Sequence, residues 1–304
     1  MKKKKQQRRT KKKIPVRLLV LSIVFVFIVG VAFGVFFFSG HEEPPPETGR
    51  TVKSPVTRQF VPPAPTPVTP ETVGPFREEP VPTTALMAIV IDDIGYDLSI
   101  VDELLSLNIA INFAILPHCP FSVQSACKAY EAGHEIILHL PMEPHDYPEK
   151  NPGEGALFVN MTQQEMMKLL QKNLRAVPNI SGVNNHMGSR FMEDGGKLAV
   201  LFAELKKRDL YFLDSLTTEH SKGRAASRTV GIDFISRDTF MDNNHDETDT
   251  FQILKHLLDN KNSWDRIVVI GHPYPGTVRA IRRILPFFND YGIKPVYLSS
   301  ITGH

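Results

Sequence analysis

The stretch Ala85-Leu86-Met87-Ala88-Ile89-Val90-Ile91-Asp92-Asp93-Ile94-Gly95 decides the fold. A run of apolar residues without alternation predicts a strand buried on both faces, as in a parallel sheet covered by helices. Two adjacent carboxylates cannot lie inside such a strand, so they should sit where it emerges. In parallel α/β folds the carboxyl ends of strands are where ligands and metals bind. A cap for the following helix would need only one of the two acids.

Working outward, residues 86–301 alternate between strand and helix patterns. Helical stretches are predicted at 97–107, 122–132, 162–176, 197–208, 248–261 and 277–290. Thr162-Gln163-Gln164-Glu165 reads as a capping box and Gly133 as a helix stop. Between them lie strand candidates at 109–115, 135–138, 180–183, 211–213, 230–235, 266–270 and 295–298. This alternation implies a parallel sheet or barrel with right-handed crossovers, with an open doubly wound sheet as the other arrangement. No glycine-rich phosphate loop follows the first strand, which argues against a nucleotide fold.

Upstream the chain changes character twice. Residues 1–17 carry ten basic side chains and no acid, although the whole 304-residue chain has a net charge of only +2. Without that tail the remainder is net acidic, so nothing points to nucleic acid. Leu18 to Phe38 is apolar except for Ser22, a 21-residue span long enough to cross a bilayer and too long for a signal-peptide core. The expectation is a membrane anchor over 18–39, with the basic tail cytoplasmic and everything downstream extracytoplasmic. Residues 40–84, rich in Pro, Thr and Glu, read as an extended tether before a folded domain at 85–304. Cys119 and Cys127 offer no thiolate metal site, and sequence leaves open whether they pair.

Asp92, Asp93, His139, His186, Asp214 and His272 each follow an apolar strand, so parallel topology gathers them on one face. An Asp and two His suit a divalent metal such as Zn²⁺, with a second carboxylate free to act as general base. His118, His134, His145, His220, His245 and His256 fall at the wrong strand ends, in loops or on a helix.

Three motifs carry a resemblance: Ile91-Asp92-Asp93-Ile94-Gly95, Gly133-His134-Glu135-Ile136-Ile137-Leu138-His139-Leu140-Pro141-Met142-Glu143-Pro144 and Gly182-Val183-Asn184-Asn185-His186-Met187-Gly188-Ser189. Together they resemble the divergent polysaccharide deacetylases, relatives of the NodB-type carbohydrate esterases. The resemblance implies a distorted (β/α) barrel of about seven strands and a metal-dependent hydrolase that removes acetyl groups from an N-acetylated glycan. By position it makes Asp92 the catalytic base, Asp93 and His139 metal ligands, and His272 the general acid. Asp214 would orient a site group. Where the relatives carry a second His, this chain has Glu143, and His186 is the candidate for the missing ligand. A carbohydrate-binding or envelope-scaffold protein on the same fold is the alternative.

Overall fold

The computed structural model describes residues 84–302. The expected basic tail, membrane anchor and most of the tether lie outside the described residues. Among the described residues no helix is long and apolar enough to cross a membrane.

Nine parallel strands alternate with helices: β1 Ala85–Ile94, β2 Asn112–Ile115, β3 Glu135–Met142, β4 Ile180–Met187, β5 Tyr211–Asp214, β6 Phe234–Ser236, β7 Thr239–Phe240, β8 Arg266–Gly271 and β9 Ile293–Val296. The helices between them are α1 Leu98–Leu105, α2 Ser122–Glu131, α3 Gln163–Ala176, α4 Gly195–Lys206, α5 Gly223–Val230, α6 Glu247–Asp259, α7 Pro275–Ile284 and the short α8 Phe287–Asp290. The sheet runs β6-β5-β4-β3-β2-β1-β8-β7, with β9 pairing the first half of β1.

The two ends of that path, β6 and β7, are consecutive in the chain. Arg237 N–H donates to Asp214 O of β5, and Asp238 N–H to Val268 O of β8. The backbone thus hands its pairing from β5 to β8 within two residues and brings the sheet round on itself. An open doubly wound sheet has no such handover.

The pleat confirms an enclosed interior. Ala88, Val90, Ala114, Ile137, Leu213, Val268 and Ile270 form one buried cluster, plugged by Leu298 and Ile301. The alternate residues Met87, Ile89, Ile91, Phe113, Ile136, Leu138 and Val269 pack outward with the helices. At one end the plug is polar: Asn112 Oδ1 accepts from Leu298 N–H, and Glu135 accepts from the Tyr211 hydroxyl and from Ser299. A buried carboxylate survives there because donors surround it.

The polar sequence Arg224 to Thr229 conceals helix α5, and the strand expected from Val230 begins only at Phe234. Strands β3 and β4 continue past their apolar cores, so His139, Asn184 and His186 stand on strands rather than in loops. Cys119 and Cys127 are free thiols.

Candidate metal centre at the carboxyl end of the sheet

Strand parity explains which side chains meet. Asp92 continues the inward row of Ala88 and Val90, and His139 that of Ile137. Asn184 lies opposite the outward Val183, and His272 stands one residue beyond the paired Ile91 and Gly271. An unbroken strand would send Asp93 the other way. Its φ of 57° is left-handed, and the β1–β2 register shifts between Ile91 and Ile94. That local break lets two neighbouring carboxylates serve one site. Gly95 completes the turn at φ 140°, where a Cβ would also lie 2.9 Å from Cys119 Cβ.

Three donor atoms converge. Asp93 Oδ1 lies 2.9 Å from His186 Nδ1 and 3.2 Å from His139 Nε2, and the two imidazole nitrogens are 3.1 Å apart. Asp93 Oδ1 is buried with no hydrogen-bond donor aimed at it, which is costly unless something else binds it. Ligands held at about 2.0–2.1 Å in a tetrahedron stand roughly 3.3 Å from each other. The donor set and its spacing therefore fit a divalent cation, and among the described residues this is the group able to hold one.

Charge follows geometry. Burial opposes ionisation of Asp93; imidazoles protonated on the nitrogens facing it would donate to its carboxyl and pull it well below the usual carboxylate range, whereas with those nitrogens unprotonated Oδ1 has no donor. Burial raises Asp92, while His139, His272 and the Asn184 amide pull the other way. Asp92 Oδ2 lies 3.6 Å from His139 Nε2, so it borders the cluster. Burial alone would make His272 harder to protonate, but the carboxylates of Asp242 and Asp92 lift it to about 9.

The carboxylate against His272 is Asp242, which accepts from its Nδ1 at 3.0 Å and its backbone N–H, and from Thr277 Oγ1 at 2.8 Å. Asp214, expected to orient a site group, is instead occupied by Leu216 N–H at 2.8 Å and Ser221 Oγ at 2.6 Å, in the β5–α5 loop. Glu143 lies outside the donor cluster. It accepts from Arg190 Nη1 at 2.9 Å and Val159 N–H at 2.7 Å, and its backbone oxygen accepts from Arg190 and Phe191.

Sequence reading gave no role to Asp242, which sits in a polar loop with nothing to single it out, nor to Asn184, although Asn184 lies within the third of the quoted motifs. His134 is structural as expected, edge-on to Phe113 at 5.3 Å.

A cleft of about 380 Å³ opens over the cluster. Asp93 and His186 form part of its floor, Tyr96 and Tyr274 are among its walls, and Asp97 and Glu154 line it without any Lys or Arg.

Residues 89–302 match the sequence profile described as divergent polysaccharide deacetylase. The uncharacterized protein YibQ of Escherichia coli (strain K12) is 33% identical over 200 residues, covering 66% of this chain and 62% of that protein. An uncharacterized protein of Haemophilus influenzae Rd is 28% identical over 196 residues, covering 64% and 69%. The chain thus spans somewhat under two thirds of the length of the Escherichia coli relative. Among solved structures, the uncharacterized protein ATU2773 from Agrobacterium tumefaciens C58 superposes with a TM-score of 0.68 at 21% identity, covering 72% of this chain and 89% of that one. That likeness concerns the fold. With a match over the whole span that carries the acid pair, the two histidines and the His272 loop, the chain belongs to the divergent polysaccharide deacetylase family.

Proposed function

We propose that the protein is a metal-dependent hydrolase that removes acetyl groups from an N-acetylated envelope carbohydrate. The observation that carries this is the buried, donor-free Asp93 Oδ1 facing two imidazole nitrogens beneath an open cleft. Asp93, His139 and His186 would hold the cation. When bound, a Zn²⁺-like ion would polarise the acetamide carbonyl and ease deprotonation of water.

The chain supplies the proton traffic. Asp92, raised by burial, takes the proton of the attacking water. His272, protonated at neutral pH through Asp242, gives a proton to the departing amine. A cleft lined by carboxylates and aromatic rings, without Lys or Arg, favours an uncharged sugar and its amine product over an acidic glycan.

The tail, apolar span and proline-rich tether support a single-pass anchor, with the cytoplasm on the tail's side and the hydrolase beyond the membrane. The purified protein should take up one divalent ion per chain and release acetate from N-acetylated oligosaccharides. Ion uptake with no acetate release from any glycan would favour the glycan-binding alternative. Acetate release that persists in Asp92→Asn would remove the base assignment.

A further inference from the structure

We propose that Asn184 is the positioning residue that assigns different tasks to the two adjacent aspartates and fixes His139 in its ligand form. The inference rests on reading Asp93, His139 and His186 as the metal donors.

Asn184 is fully buried on β4, in register with His139 of β3. Its Oδ1 is 2.8 Å from His139 Nδ1. A carboxamide oxygen only accepts, so Nδ1 carries a proton, and in the neutral ring Nε2 is the nitrogen left for a cation. The other end of the amide excludes the reverse orientation. Nδ2 is 2.8 Å from Asp92 Oδ1 and 3.3 Å from Ser215 Oγ, and a flipped amide would set oxygen against carboxylate.

One side chain therefore does two things at once. It ties back Asp92 through Oδ1, leaving Oδ2 at the border of the cluster. It also turns the free nitrogen of His139 toward Asp93 Oδ1, which has no donor of its own. Sequence adjacency alone would leave the two carboxylates as equal competitors for the cation; the amide removes Asp92 from that competition. Such outer-shell partners typically set metal affinity.

The test uses the full chain with Zn²⁺ as the titrant and two substitutions. Asn184→Ala should weaken Zn²⁺ binding by about 10–100-fold. In the metal-free protein it should also abolish the exchange-protected His139 Nδ1–H proton resonance. Asn184→Asp keeps an acceptor for Nδ1 but loses the donor to Asp92. It should retain the resonance and bind Zn²⁺ far more tightly than Asn184→Ala, while acetate release falls by about 10²-fold or more.

Wild-type Zn²⁺ affinity and an intact resonance in Asn184→Ala would overturn the proposal. So would an Asn184→Asp protein that binds Zn²⁺ as weakly as Asn184→Ala, or one that keeps full acetate release. A wild-type protein without Zn²⁺ affinity would sink the metal reading instead, and the Nδ1–H resonance still decides whether Asn184 holds His139.

Discussion

At the scale of single residues, the proposed mechanism separates metal donors from proton carriers. Removing a donor should cost the cation: His186→Ala should lower Zn²⁺ occupancy, measured on dialysed protein, whereas Asp92→Asn should leave it close to wild type and stop acetate release. His272 sets a pH limit. Its folded form holds a proton up to about pH 9, against an ordinary histidine value of 6.5. Acetate release should therefore fall as pH rises through about 9 and His272 loses the proton it would donate. Asp242→Asn, which removes the carboxylate at 3.0 Å, should bring that fall toward neutrality. The same linkage acts on stability. Because the folded value lies above the unfolded one, the stabilisation is complete below pH 6.5 and is lost as pH climbs through 9. Thermal unfolding scans across that window, compared with Asp242→Asn, read it directly.

At the scale of elements, Glu143 shows how one side chain fastens loops without touching the chemistry. Its carboxylate joins the Arg190 turn to Val159, and its burial means that removing it strands the Val159 N–H. Glu143→Ala should destabilise the fold by about 1–3 kcal/mol in denaturant titration while metal occupancy stays unchanged. Loss of the ion at constant stability would instead make Glu143 a ligand. The strands that hold the site were legible because β1, β3 and β8 are apolar runs that stop at titratable residues. Parity alone could not place Asp93, since its inward turn depends on a left-handed φ that the sequence does not spell out. Nor could it choose between Asp214 and Asp242. Both are buried acids near strand ends, and only tertiary packing decides which of them meets His272. Helix α5 escaped because it is short and the face it buries consists of the small residues Gly223, Ala226 and Ser227, with no large apolar side chain among them.

At the scale of the whole molecule, the interior of the curved sheet is plugged at one end by Leu298 and Ile301 of the segment after β9. Asn112 and Glu135 depend on Leu298 and Ser299 for hydrogen-bond partners, and β9 covers the first half of β1. A chain ending before Ile293 should lose cooperative unfolding or melt well below the full chain, because it leaves Glu135 short of donors and β1 short of a neighbour. The same truncation spares Asp93, His139 and His186, so any metal affinity that survives would show that the carboxyl end of the sheet holds together without the plug.

The central place of β1 also governs how the chain is made. This strand, the first of the described strands in chain order, pairs with β2, the next, and also with β8 and β9, the last two. Until Arg266 and its successors emerge, one flank of an apolar strand ending in two carboxylates stays open as an unpaired edge. Sequence-distant pairing of this kind slows folding. The acid pair that would organise the finished site thus belongs to a strand that must wait for nearly the entire domain before it is enclosed.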